Sequence, residues 1–308
     1  MSWAALDYLM VLRPTLFIPL WSLMLAGYLR AATDGPLPPF ILKPPAPLLL
    51  GIAPLSMLMG FVHILNQIAD VESDAANKKL YLVAGGYVRM KFLVLEMALL
   101  MAGAWAAAWL AYRGDPLPFI ILAASATLGV IYSVRPIRLK GRPFLDLLAN
   151  AFGYGVLAFG MGWLAAGRGA EGMWIGSIPY FLSVGSIFVN TTLPDLKGDL
   201  ASGDRTIGAV LGMRGSMILS SALLGCALAS GAALRDPIAL GAVLISLPAH
   251  VKMVASRSVP SILAANKWGV LSLSIAVGIF APVYLLWLAF IILMTRLYYK
   301  HRFGIKYP

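Results

Sequence analysis

The chain of 308 residues is 60% hydrophobic and only 12% charged, with a mean hydropathy of +0.84. Soluble domains carry about 25% charged residues, and a globular fold of this length could not bury so much apolar surface. This composition excludes an ordinary soluble protein and predicts an integral membrane protein. The net charge of +11 is interpreted as basic loops facing anionic lipid headgroups, not as a nucleic-acid surface. The single cysteine, Cys226, excludes a disulfide framework.

Apolar runs of roughly twenty residues, the length that crosses a bilayer core, predict the membrane helices. Nine segments follow in chain order: 14–31, 46–65, 92–112, 117–134, 143–166, 173–193, 213–234, 237–254 and 268–294. They are rich in Gly, Ala and Ser, and small side chains let membrane helices approach closely. The prediction is an all-α, polytopic membrane helix bundle of about nine transmembrane helices. It forms a single domain over residues 1–308 that ends in a basic tail, 295–308.

Basic residues are distributed unequally between the two sides of the predicted bundle. Fifteen lie in or beside loops on the N-terminal side, and five lie in the opposite loops: Arg30, Lys43, Arg113, Arg168 and Arg235. The positive-inside rule therefore places the N-terminus and the charged loops in the cytoplasm. With nine spans, the basic C-terminal tail would lie on the opposite side.

A first acidic motif ends the second apolar segment. Asn66, Asp70 and Asp74 are spaced four apart, and four residues of a helix drift by only about 40° around its axis. These three side chains are therefore predicted to share one face. Glu72 points away from that face and is predicted to be replaceable.

A second acidic pair, Asp195 and Asp199, lies 125 residues after Asp70 and Asp74 and ends a segment of the same orientation. The first motif belongs to a half of about 10–140, and the second to a half of about 141–294. Two facing carboxylate pairs suit Mg²⁺, which takes one or two carboxylates and keeps positions for water and substrate phosphates. Such a site would neutralise the charge that develops on a departing diphosphate.

Four stretches together resemble the UbiA superfamily of intramembrane prenyltransferases over roughly residues 10–290. They are NQIADVESDAANK from Asn66, DLKGDLASGDRT from Asp195, YSVRPIRLKGRP from Tyr132 and LRP from Leu12. The resemblance implies a nine-helix bundle around a central cavity that opens sideways to lipid. It also implies Mg²⁺-dependent transfer of an isoprenoid from an allylic diphosphate to a hydrophobic acceptor, with membrane lipids around the protein. Neither a nucleic acid nor an obligate protein partner is predicted.

The resemblance also implies roles for individual residues. The Mg²⁺–diphosphate ligands would be Asp70, Asp74, Asp195 and Asp199, and Asn66 would assist them. The candidates for direct diphosphate contacts are Arg13, Lys78, Arg138, Lys140, Lys197 and Arg205. Tyr132 and Ser133 would lie near the leaving group or the allylic cation. The chain departs from many relatives at Gln67 and Gly198, which leaves the set of Mg²⁺ ligands open.

Several alternatives remain at this stage. Arg138, Lys140 and Arg142 form either a lid over the diphosphate or a stripe that binds lipid headgroups. His63 is interpreted as a packed histidine hydrogen-bonded across helices, with a metal or general-base role as the alternative. For the whole chain, the alternative is an ion-coupled transporter, although acids at span ends beside basic loops suit phosphate better. The acceptor stays broad: a quinone- or tocopherol-type aromatic, a carotenoid, a chlorophyllide or a glycerophosphate ether.

Overall fold

The computed structural model describes residues 3–33, 35, 37–76, 82–194, 196 and 205–307, and its regular elements there are all helices. In chain order they are α1 (Trp3–Met10), α2 (Phe17–Ala31), α3 (Ala46–Ala69), α4 (Val71–Ala76), α5 (Met90–Ala111), α6 (Leu117–Ser133), α7 (Leu145–Phe152), α8 (Phe159–Ala165), α9 (Met173–Thr191), α10 (Ile207–Ala233), α11 (Pro237–Ser256), α12 (Val259–Phe280) and α13 (Pro282–Phe303). A 3₁₀ turn, Pro14–Leu16, joins α1 to α2, and a π-helical segment, Gly153–Ala158, joins α7 to α8.

In the described part of the chain, nine helical stretches are long and apolar enough to cross a membrane. The joined pairs α1–α2 and α7–α8 each count once, and α6 is a further apolar helix of 17 residues. The predicted all-α membrane bundle is therefore confirmed, and the chain has the architecture of an integral, multi-pass membrane protein.

The last predicted segment, 268–294, was wrong as a single span. The chain forms two antiparallel helices there, α12 and α13, which meet at Ala281 and Pro282. Proline lacks the N–H that would continue the helix, and its ring disfavours the helical conformation in the preceding residue. Ala281 accordingly takes φ −135° and ψ 73°, outside the helical region.

This additional helix returns the C-terminus to the N-terminal side of the bundle. The Arg302 guanidinium lies 3.2 Å from the Asp7 carboxylate on α1, so the two ends of the chain are neighbours. The basic residues expected on the opposite side, Arg296, Lys300, Arg302 and Lys306, join the N-terminal group. Much of the predicted tail is therefore the end of α13, and 16 of the 21 basic residues in the described part of the chain belong to one side.

Glycines set the close packing of the central helices. A Cβ atom at Gly27 of α2 would collide with the backbone of α8, and one at Gly162 of α8 would collide with the backbone of α2. Gly155, in the π-helical segment, lies equally close to the backbone of α9. Small residues therefore hold α2, α8 and α9 together, and the π-helical segment presents Gly153 and Tyr154 to a cavity between the helices.

A buried polar cluster joins helix ends on the side opposite the acidic motifs. Asp236 accepts from the Tyr180 hydroxyl at 3.0 Å and lies 3.0 Å from the Arg30 guanidinium. Its other oxygen accepts from two backbone N–H groups in the first turn of α11. Burial raises the pKa of the Asp236 carboxyl, and Arg30 opposes the shift. This cluster links α2, α9 and α11 far from the motifs.

Candidate active site

The first acidic motif lies where α3 passes into α4. The Asp70 N–H donates to the Asn66 carbonyl at 3.0 Å, and the Asp74 N–H donates to the Asp70 carbonyl at 2.8 Å. The chain therefore keeps a helical path through the motif. Asp70 and Asp74 are buried, whereas Glu72 is exposed. The side chains are thus arranged as the four-residue spacing predicts.

The loop after α6 folds back onto the end of that helix. The backbone N–H groups of Arg138, Leu139 and Lys140 donate to carbonyls of residues 134, 131 and 132 at 2.9–3.1 Å. These bonds fix the segment beside α3. Arg138 Nη2 then lies 3.1 Å from Asp70 Oδ1, and Lys140 Nζ contacts Asp70 Oδ2.

Asp70 is therefore a buried carboxylate that holds one cation on each oxygen. Its side chain is only 4% exposed, while those of Arg138 and Lys140 are 32% and 40% exposed. A buried carboxylate is tolerated only when it is paired and hydrogen-bonded. Sequence spacing placed the two basic residues on one side of a loop, but it did not identify Asp70 as their partner.

A cavity of about 160 Å³ opens beside this motif, between α2, α3, α6 and α7. Its polar lining includes Arg13, Asn66, Tyr132, Ser133 and Asn150, and the rest is largely apolar. The Asn66 amide donates to the Ser133 hydroxyl at 3.3 Å, across from α3 to α6. Four predicted site residues, Arg13, Asn66, Tyr132 and Ser133, therefore meet at one cavity.

The segment between α1 and α2 positions Arg13 at this cavity. The Gln67 amide donates to the Val11 carbonyl at 2.7 Å, and His63 Nδ1 lies 2.8 Å from the Leu12 carbonyl. Arg13 follows with a positive φ of 56°, which turns the chain into the 3₁₀ segment. Gln67 is thus a buried anchor for the backbone. The sequence showed only that Gln67 differs from the residue found in many relatives. It did not show which group Gln67 contacts.

Asp7 fastens the same segment to the C-terminal helix, and sequence reasoning missed this contact. The buried Asp7 carboxylate accepts from the Tyr298 hydroxyl at 2.5 Å and from two Arg302 nitrogens at 3.2 and 3.3 Å. The available signal was an acid within an apolar N-terminal run, together with an Arg in the tail. Because the tail was predicted on the other side, the pair could not be identified.

The second acidic motif lies largely outside the described residues. Asp195, Lys197 and Asp199 lie outside the described residues, and so does Lys78 of the first motif. The nearest described helices are α9, which ends at Thr191, and α10, which begins at Ile207. Arg205 is exposed and is not among the residues that line the cavity.

Carboxylate, amide and hydroxyl oxygens form the described part of the site. Asp70 and Asp74 are buried carboxylates, and Asn66 supplies an amide beside them. This donor chemistry suits a hard divalent cation. Within the described residues, no group of three or more His, Cys, Asp or Glu side chains is clustered to hold a metal.

One curated relative, "Probable homogentisate phytyltransferase 2, chloroplastic" of Oryza sativa subsp. japonica, is 29% identical over 184 residues. This match covers 56% of the chain and 47% of the relative, so it spans about half the length of that protein.

Solved structures share the fold at low sequence identity. A UbiA homolog from Archaeoglobus fulgidus bound to GPP and Mg²⁺ has a TM-score of 0.66 at 17% identity, covering 89% of this chain and 99% of that one. A structure of digeranylgeranylglyceryl phosphate synthase gives 0.67 at 15% identity, covering 91% and 98%. A UbiA homolog from Aeropyrum pernix K1 gives 0.65 at 19%, covering 84% and 95%.

The sequence profile of the UbiA prenyltransferase family matches residues 20–268, which include α3, the loop after α6 and both acidic motifs. The chain therefore belongs to the UbiA prenyltransferase family.

Proposed function

We propose that this protein is an integral-membrane prenyltransferase, which moves an isoprenoid chain from an allylic diphosphate to a hydrophobic acceptor with the help of Mg²⁺. The observation that carries the proposal is the buried Asp70 carboxylate, held by two loop cations beside a mostly apolar cavity. A site that ionises an isoprenyl diphosphate needs negative ligands for a metal, positive groups for phosphate and an apolar space for the chain. All three occur here at one helix end.

We assign the metal ligands to Asp70, Asp74, Asp195 and Asp199, with Asn66 assisting. The buried carboxylates of the first pair have the donor chemistry that a hard cation prefers. These acids would hold Mg²⁺, which would supply positive charge to stabilise the leaving diphosphate. The UbiA homolog from Archaeoglobus fulgidus, which has a similar fold, is bound to GPP and Mg²⁺, and this supports the assignment.

The cationic side chains would bind the diphosphate. Arg13 lines the cavity, while Arg138 and Lys140 contact Asp70. If Asp70 held a metal ion, Arg138 and Lys140 would be available to bind phosphate oxygens. Lys78, Lys197 and Arg205 belong to the same proposal as further diphosphate contacts.

The apolar part of the cavity would exclude water from the allylic carbon. Tyr132, Ser133 and Tyr154 line it, and an aromatic face attracts a cation by about 2 kcal/mol when both are desolvated. We assign Tyr132 to stabilising positive charge near the leaving group and Ser133 to positioning it. A transporter is less well supported, because Asp70 ends α3 next to basic residues and does not lie midway along a helix.

For the acceptor, we favour a hydroxylated aromatic compound. The support is the relative named as a homogentisate phytyltransferase, which matches at 29% identity. We also propose that the active-site loops face the cytoplasm, because 16 of the 21 described basic residues lie on their side of the bundle.

The test uses the purified full chain in lipid nanodiscs with Mg²⁺, labelled allylic diphosphates of several lengths and a panel of acceptors. We expect a prenylated product from wild type, a loss of at least a hundredfold in Asp70→Asn, and nearly unchanged turnover in Glu72→Gln. Glu72 is the matched control, because it is an exposed acid two residues away. Equal turnover by wild type and Asp70→Asn for every substrate pair would overturn the proposal.

A further inference from the structure

We propose that His63 is the base that receives the proton of a hydroxyl group on the acceptor. This inference rests on the proposed prenyl transfer and deepens it, since it specifies an acceptor that carries a hydroxyl. His63 lies on α3 three residues before Asn66, and its buried ring lines the cavity. The Phe17 ring packs edge-on against it, with ring centroids 5.1 Å apart.

The hydrogen bond at Nδ1 identifies the form of the imidazole. Nδ1 lies 2.8 Å from the Leu12 carbonyl oxygen, and a carbonyl oxygen can only accept, so Nδ1 carries the proton. Nε2 is buried and has no hydrogen-bond partner among the described residues. Arg13 already places one positive charge in the same lining, which disfavours a second charge on the ring. His63 is therefore neutral, with a lone pair on Nε2.

His63 is also the one described residue of the lining whose neutral side chain offers a nitrogen lone pair to a proton. The other ionisable groups in that lining are Arg13, Tyr132 and Tyr154. Arginine stays protonated, and a tyrosine is a phenol that would first have to lose its own proton. The described carboxylates of the motif, Asp70 and Asp74, lie at the helix end and not in the lining.

A second polar atom supports a ligand at this wall. The Ser125 hydroxyl, on α6, lines the cavity and is likewise buried without a partner in the described part of the chain. Leaving a buried polar group without a hydrogen bond is unfavourable, so two such groups around one cavity call for an explanation. A hydroxylated acceptor would satisfy both: its O–H donates to His63 Nε2, and another of its oxygens accepts from Ser125.

The chemistry balances for either kind of hydroxyl. The allylic C–O bond breaks, and its electron pair leaves with the diphosphate. An alcohol oxygen forms the new C–O bond while its proton passes to Nε2, which then gives that proton to water. A phenol forms a C–C bond through its ring carbon while the O–H proton passes to Nε2. The ring carbon then loses its proton to water, and the oxygen regains the proton from Nε2. Each turnover thus releases one proton, and His63 returns to its neutral form.

The test compares His63→Asn with His63→Phe. The asparagine amide nitrogen lies near the position of Nδ1, so H63N keeps a donor for the Leu12 carbonyl but removes Nε2. H63F removes both. His250→Asn is the matched control, because His250 is a histidine of α11 that contacts Ser221 and lies outside this lining. Turnover is measured against pH with geranyl diphosphate and two acceptor classes, 4-hydroxybenzoate and geranylgeranylglyceryl phosphate. Binding of geranyl diphosphate is measured separately.

We expect H63N to lose about 10²–10⁴-fold in kcat, to lose the acidic limb of the wild-type pH profile, and to bind geranyl diphosphate as wild type does. The acceptor that wild type uses identifies a phenol or an alcohol as the source of the hydroxyl. If H63N had the same kcat and pH profile as wild type, the proposed role of His63 would be overturned. The same would follow if H63N lost affinity for geranyl diphosphate by the same factor as it lost kcat. A wild type that forms no product would instead overturn the proposed function, and this inference with it.

Discussion

Replacing Lys140 with glutamine is expected to strengthen Mg²⁺ binding while it weakens the use of the isoprenyl diphosphate. Lys140 and Arg138 each contact one oxygen of the Asp70 carboxylate, and these are the oxygens that a metal would need. Lys140 is therefore a competitor of the cation in the free protein. In the loaded protein the same side chain would bind phosphate, so its loss acts in the opposite direction there.

The size of the first effect follows from the burial of the pair. A hydrogen bond between charged groups contributes about 1.5–3 kcal/mol. Because the Lys140 side chain is 40% exposed, solvent screening favours the low end of that range. Removing it should lower the dissociation constant of Mg²⁺ by roughly tenfold, which corresponds to about 1.4 kcal/mol.

Calorimetric titration of the free protein with MgCl₂ measures the dissociation constant of Mg²⁺. Steady-state kinetics with geranyl diphosphate measures the use of the substrate, and kcat/KM should decrease by tenfold or more. Arg142→Gln is the control: Arg142 continues the same basic stripe, but its guanidinium donates to the Pro136 carbonyl at 3.3 Å. The reasoning fails if K140Q binds Mg²⁺ more weakly than wild type, or if K140Q and R142Q behave alike.

Three further predictions concern the framework of the site. Gln67→Met leaves the buried Val11 carbonyl without its donor, so KM for the diphosphate should rise several-fold with a smaller change in kcat, measured by steady-state kinetics. Tyr298→Phe removes a donor to the buried Asp7 carboxylate, so thermal unfolding should start a few degrees lower and hydrogen exchange in α1 should quicken; unchanged exchange would contradict this. Gly162→Ala places a methyl group against the backbone of α2 and should destabilise the fold by about 1–3 kcal/mol, seen as a lower melting temperature.

The number of membrane-spanning helices was predictable except where proline decides it. Pro54, Pro179 and Pro248 lie inside α3, α9 and α11 without ending them, whereas Pro282 separates α12 from α13. Membrane helices tolerate proline when neighbouring groups satisfy the freed backbone carbonyls. Sequence alone does not show those neighbours, so an apolar run with an internal proline is read equally well as one helix or as two.

Some features of the candidate site follow from local sequence spacing, and others depend on tertiary contacts. Helical spacing was sufficient to place Asp70 and Asp74 on one buried face, because the register of one helix fixes that relation. It could not show that Arg138 and Lys140 fold back onto Asp70, since that contact depends on how a loop packs against another helix. The role of Gln67 was hidden for the same reason: its partner is a backbone carbonyl more than fifty residues away.

Residues outside the family match also support the site. The family match spans residues 20–268, yet Arg13 reaches the cavity from a segment before it, and α13 lies after it. The break at Pro282 returns α13 to the motif side, where its Arg302 and Tyr298 hold Asp7. The contacts of Asp7 therefore hold α13 against α1, the helix that leads to Arg13. A change in α13, far from Arg13 in sequence, should alter diphosphate binding through these contacts.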